Sequence, residues 1–171
     1  MLGAVDFAKS RAPLPVAAWG ISFGGAAVML AAAEEPRIAG VVCDSSYRSL
    51  RDTARYHLAL FRRFAWWLRL VPVWPTADEA VFWMGRRGGF DPDALDIVKA
   101  ARSLGGRPAL FVGGSGDERM PPQIAQDLKA AAGAAADLLV VTTQKHGHAY
   151  RDGTEAYERA VTKLLEEVVR E

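Results

Sequence analysis

A chain of 171 residues is long enough to bury one sizeable hydrophobic core. Half of its residues are hydrophobic, 24% are charged and the formal net charge is +1, which removes any bulk electrostatic reason to bind nucleic acid. A single cysteine, Cys43, excludes an internal disulfide, and its place in an apolar run marks it as a buried, inert thiol.

In chain order, residues 2–10 read as the end of a helix. Residues 1–12 carry charges and no apolar signal segment, and no run is long enough to span a bilayer, so the expected location is the cytoplasm. Residues 16–19, behind Pro13 and Pro15, read as a buried strand. A helix over 23–35 is stopped by Pro36, and 38–43 is a second strand. Residues 47–103 hold helical patterns broken by prolines and by Gly88-Gly89. A third strand over 108–113, a helix over 122–132 and a fourth strand over 138–142 follow. The chain closes on an amphipathic helix over 155–169, with Ala156, Ala160, Val161, Leu164, Leu165 and Val168 on its apolar face. Continuous apolar strands alternating with helices predict a parallel sheet covered on both faces. In such sheets the residues that carry chemistry lie just beyond the carboxyl ends of the strands.

Three segments stand at those ends. Gly20-Ile21-Ser22-Phe23-Gly24 joins the first strand to a helix, the context that makes G-x-S-x-G a nucleophile elbow. A sharp turn there presents the serine hydroxyl, and glycines at 20 and 24 let strand and helix approach closely. The Phe23 N–H and the helix N-terminus then face any negative charge that forms beside Ser22. The third strand runs into Gly114-Ser115-Gly116-Asp117-Glu118, and the fourth into Lys145-His146-Gly147-His148-Ala149-Tyr150. Serine, acid and histidine in this order suit nucleophilic catalysis. A hydroxyl is too weakly acidic to attack unaided, an imidazole takes its proton, and a carboxylate fixes the imidazole tautomer.

With these motifs the chain resembles the α/β-hydrolase superfamily, in particular its esterase, dienelactone-hydrolase and serine-aminopeptidase-like branch. The elbow reads Trp19-Gly20-Ile21-Ser22-Phe23-Gly24-Gly25, and the acid loop resembles the family's G-x-x-D-x-x-x-P turn, which points to Asp117. His146-Gly147-His148-Ala149 resembles the family's histidine loop, and Tyr157 matches a tyrosine that recurs in the final helix. The resemblance implies Ser22, Asp117 and His146 as catalytic residues and the Phe23 N–H as an oxyanion donor. It also implies a small-molecule ester as substrate, with no metal and no organic cofactor. Alternatives stay open at two positions: His148 for the histidine, and Glu118 or Asp44 for the acid. Ser22 and Asp117 also fit helix caps, and His57, in an arginine-rich helical stretch, reads as structural.

The implied fold class is α/β: the C-terminal portion of an α/β-hydrolase, mostly parallel sheet flanked by helices with a helical cap insertion. The core covers 1–46 and 104–171, and the cap 47–103. Within the cap, Arg51, Arg55, Arg62 and Arg69 recur at spacings that share one helical face, opposite a stretch rich in aromatic residues. That pattern fits a cap with its aromatics inside and its arginines in water, or an interfacial helix touching a membrane surface across residues 51–74. Either reading predicts an apolar substrate pocket. The resemblance also implies several strands before the elbow strand, with a loop giving a second oxyanion donor, whereas fifteen residues precede position 16. A piece of a longer protein is the first expectation; edge-to-edge homodimerisation and recruitment of another polypeptide are the others. The competing function is a non-catalytic, truncated module serving association or membrane-surface binding.

Overall fold

A computed structural model describes residues 2–170; Met1 and Glu171, the two ends of the predicted core, lie outside the described residues. The chain divides into two compact units: one runs to Tyr47 and resumes at Ile97, and the other is Arg48–Asp96.

In the first unit, helix α1 (Leu2–Arg11) leads into strand β1 (Val16–Ile21), helix α2 (Phe23–Glu34) and strand β2 (Ile38–Asp44). After the insertion come α5 (Ile97–Arg102), β3 (Ala109–Gly114), α6 (Pro122–Ala132), β4 (Ala136–Val141), the short α7 (Ala149–Asp152) and α8 (Thr154–Arg170). Among the described residues the strands form one parallel sheet in the order β1-β2-β3-β4. Each crossover carries at least one helix, as parallel pairing requires.

The period of two along the central strands sorts the core into two layers. Val41 and Cys43 of β2 and Ala109 and Phe111 of β3 face a cluster built with α2, α5 and α6. Val42, Leu110 and Val112 face the other side, where Tyr157, Leu164 and Val168 of α8 pack. Two-sided cover holds for β2 and β3 but not for the outer strands: Trp19 and Ile21 on β1 and Leu138 and Val140 on β4 are exposed. An apolar run therefore overstates burial at the ends of this strand order. The apolar face of α8 also differs from the expected one. Tyr157 and Val168 are buried with Ala160, Val161 and Leu164 alongside, while Leu165 lies in water. This face is the i, i+3, i+4, i+7 stripe counted from Tyr157. Where α2 ends, the Arg107 guanidinium donates to the carbonyls of Ala32 (2.7 Å) and Glu35 (3.3 Å), acceptors the helix end leaves open, and to that of Ile38 (2.8 Å) at the start of β2.

Residues 97–103, expected in the insertion, belong to the first unit, because α5 buries Ile97, Ala100 and Ala101 in its core. The second unit holds α3 (Leu50–Phe61), a 3-10 turn (Trp66–Leu70), α4 (Val73–Gly88) and a second 3-10 turn (Pro92–Ala94). Ser49 caps α3 by accepting the Asp52 N–H at 3.1 Å. Ser49 and Asp96 form an antiparallel bridge that joins the two ends of the insertion. Helices α3 and α4 are tied by Arg55, which donates to both carboxylate oxygens of Asp78 at 3.0 and 2.8 Å. The single helical face expected for the four arginines is absent. Helix α3 ends at Phe61, Arg69 rides on the 3-10 turn, and Arg51 and Arg55 are engaged by Asp93 and Asp78. No helix of the described residues is long and apolar enough to cross a membrane.

Candidate active site

The elbow is a backbone feature before it is a chemical one. Between β1 and α2, Ser22 sits at φ 56°, ψ −121°, a conformation that costs a non-glycine residue about 1–3 kcal/mol. Its surroundings hold it there. The Ser22 N–H donates to the Asp44 carbonyl at 2.8 Å, and its own carbonyl accepts from the Ala26 N–H at 3.3 Å. A Cβ at position 20 would stand 2.1 Å from the Gly24 carbonyl oxygen, so only glycine fits. The second demanding glycine is Gly25, whose Cβ would press on the Gly20 and Asp44 carbonyls at 3.1 and 3.2 Å. Position 24 has open space, which corrects the expectation that the second glycine of the motif allows the close approach.

The acid loop leaves β3 and is pinned to the end of β4 and the loop that follows: Ser115 N–H donates to the Val141 carbonyl (2.9 Å) and Gly116 N–H to that of Thr143 (2.8 Å). Asp117 is 2% exposed. Its Oδ1 accepts from the N–H groups of Arg119 and Met120 at 2.9 and 3.0 Å, which leaves Oδ2 directed elsewhere. On the histidine side, the buried Thr143 donates to Asp152 of α7 at 2.6 Å and accepts the Lys145 N–H, and Gly147 turns the chain at φ 71°.

These loops bring three predicted residues together. His146 Nδ1 lies 2.7 Å from Asp117 Oδ2, and His146 Nε2 lies 2.9 Å from Ser22 Oγ. An ionised carboxylate only accepts, so the proton sits on Nδ1 and Nε2 is the free acceptor of the serine O–H. Burial pushes the Asp117 carboxyl up, but the His146 hydrogen bond, the Met120 and Arg119 N–H groups and the imidazole charge outweigh it, and Asp117 ionises below the usual carboxylate range. The Phe23 N–H, first in α2, has no acceptor within its own helix and belongs to the residue that follows Ser22.

The alternatives stand elsewhere. His148 opens α7, where its carbonyl accepts the Asp152 N–H at 3.0 Å. Glu118 is exposed. Asp44 is fully buried, with Oδ1 accepting from Ser45 Oγ at 2.7 Å and Oδ2 from the Tyr157 hydroxyl at 2.9 Å. Burial raises the Asp44 carboxyl above its ordinary range, and the Ser45 and Tyr157 bonds only partly offset this. Sequence reasoning missed what Asp44 does: its carbonyl anchors the elbow while its side chain holds the last helix. The available signal was an ionisable residue closing an apolar strand, in register with Ile21 beside the elbow. Cys43 is buried, and desolvation pushes its thiol up to about 12, too high for a nucleophile. Among the described residues no cluster of His, Cys, Asp and Glu could hold a metal ion.

No protein-family model matches the chain, and no curated protein matches it in sequence. Solved structures do match in fold. The α/β-hydrolase GrgF from Penicillium superposes with a TM-score of 0.65 at 16% identity, over 99% of this chain and 70% of that one. An esterase from Pyrococcus furiosus gives 0.65 at 17% identity, over 95% and 58%. An acylaminoacyl peptidase from Pyrococcus horikoshii gives 0.62 at 14% identity, over 95% and 26%. The chain therefore has the α/β-hydrolase fold, and in a second crystal form of the esterase its match spans 52% of that protein's length.

Proposed function

We propose that the chain is a serine hydrolase that cleaves carboxylic esters of a largely apolar substrate. The observation that carries this reading is one imidazole bonded to both Ser22 and Asp117 at a strained strand-to-helix turn. In the proposed reaction Ser22 Oγ attacks the ester carbonyl while His146 Nε2 takes the hydroxyl proton. The Phe23 N–H faces the oxyanion of the tetrahedral intermediate. Its collapse breaks the bond to the alkoxy group, which leaves as the alcohol with the proton from Nε2, and an acyl-Ser22 ester remains. Water, deprotonated by the same nitrogen, releases the acid and restores the serine. Asp117 orients the ring and stabilises its positive form throughout. Peptide, thioester and acyl-transfer chemistry share this acyl step, and neighbours described as esterases and as an acylaminoacyl peptidase are in keeping with it.

An apolar substrate follows from what flanks the hydroxyl. Phe23 is 62% exposed, its ring edge-on to Tyr47 at 5.3 Å, and Ile21, which precedes Ser22, is exposed as well. The test is a fluorophosphonate probe read by mass spectrometry, together with the product burst from p-nitrophenyl acetate. Labelling of Ser22 and a burst, both lost in Ser22→Ala, are the expected results; folded protein that takes no label overturns the reading.

The second reading, a non-catalytic module of the same fold, is favoured by the exposed edge-strand residues Trp19 and Ile21. It predicts a stable oligomer in size-exclusion chromatography and no burst. A second oxyanion donor beside the Phe23 N–H is worth about 10²–10³ in kcat, so the burst amplitude is a better discriminator than the steady-state rate.

A further inference from the structure

The turn between α3 and α4 is built unlike the rest of the chain. From Thr53 to Ala77 the sequence has no carboxylate and four arginines. Arg55 is neutralised by Asp78, whereas Arg63 and Arg69 make no side-chain hydrogen bond or ion pair among the described residues. Arg62 spends one Nη2 proton on the Arg69 carbonyl at 2.9 Å and leaves its Nε buried without a partner. Arg62, Arg63 and Arg69 line an open cavity of about 320 Å³ with Ala59 as its remaining wall. Next to this cationic cavity stand large apolar side chains in water. Phe64 is 76% exposed, Trp66 75% and Leu70 81%, with Trp67 and Trp74 also exposed.

An exposed apolar patch of this density marks an interaction surface, and its charge selects the partner. A second copy of the chain, docked through the same patch, would set the arginine cluster against itself. An anionic bilayer offers both complements: phosphodiester groups for guanidinium forks, and a headgroup boundary where indole rings reside. We infer that the segment from Phe61 to Trp74 is a docking element for anionic membranes: Arg62, Arg63 and Arg69 take lipid phosphates while Phe64, Trp66 and Trp67 enter the interface. This surface uses no residue of the candidate active site and stands whether or not that site is catalytic.

The full chain is to be sedimented with vesicles of phosphatidylcholine with and without phosphatidylserine. Binding is expected only with the anionic lipid and weakens as salt is raised. In Arg63→Glu/Arg69→Glu no side-chain hydrogen bond or ion pair among the described residues is lost, so the fold is expected to persist, and the partition coefficient falls roughly tenfold or more. In Trp66→Phe/Trp67→Phe binding is retained, but the fraction of tryptophan fluorescence quenched by acyl-brominated lipid falls, because two of the segment's three indoles are gone while Trp19 and Trp83 lie outside it. No sedimentation with anionic vesicles, equal binding by the charge-reversed variant, or unchanged quenching in the Trp-to-Phe variant overturns the inference. So does an oligomer, with no vesicle binding, that dissociates on Trp66→Ala/Trp67→Ala and so assigns the patch to a protein interface.

Discussion

The elbow and the arginine-tryptophan turn handle polar groups in opposite ways. Around Ser22 the groups of the candidate site are satisfied from within: Ser22, His146 and Asp117 are linked in series, Asp117 takes two further backbone N–H groups, and Asp44 joins the elbow to Tyr157. In the turn after α3, guanidinium groups lack acid partners and indoles lie in water. Chemistry on a small ligand needs atoms held to within a fraction of an ångström, which internal bonds provide. Adhesion to an extended surface needs groups left unspent.

Substitutions in the two regions should therefore differ in kind. The largest effect is expected for Asp117→Asn, which keeps the shape but mis-sets the imidazole tautomer: a fall of about 10⁴ in kcat, read by ester hydrolysis. Its effect on stability has a definite sign. Asp117 ionises lower in the folded chain than unfolded, so its stabilisation is present above the unfolded value of about 4 and is lost as pH falls through the folded value. The stability gap between wild type and Asp117→Asn should narrow with acid in urea titrations. Gly20→Ala is next: its Cβ meets the Gly24 carbonyl, and a loss of about 3 kcal/mol or more is expected. Gly24→Ala should instead stabilise by about 0.5–1 kcal/mol; equal losses at both positions would refute the geometry of the elbow. Tyr157→Phe strands a buried carboxylate oxygen and should cost about 1–3 kcal/mol. In the insertion, Arg55→Gln breaks a half-buried, two-bond tie between α3 and α4 and should lower the Tm by no more than roughly 2 °C, the smallest effect of the set.

The elbow, acid loop and histidine loop are legible in the sequence because each is written within a few residues at the end of a strand. Choosing His146 over His148 is harder, since both follow the same strand and only the turn at Gly147 decides which ring returns toward Ser22. The Asp44–Tyr157 bond joins residues 113 apart, and no local pattern announces it. Helix α3 stops without glycine or proline: the Arg63 and Phe64 N–H groups reach back three residues, to Leu60 and Phe61, and tighten the turn. Arginine periodicity continues through that stop, so a stripe drawn from spacing alone runs past the end of its helix.

The backbone angle at position 22 has a consequence for anyone selecting hardier variants. Glycine adopts that angle freely, so Ser22→Gly releases tension that the serine stores. A screen that rewards only heat resistance would enrich this replacement and, in doing so, discard the hydroxyl.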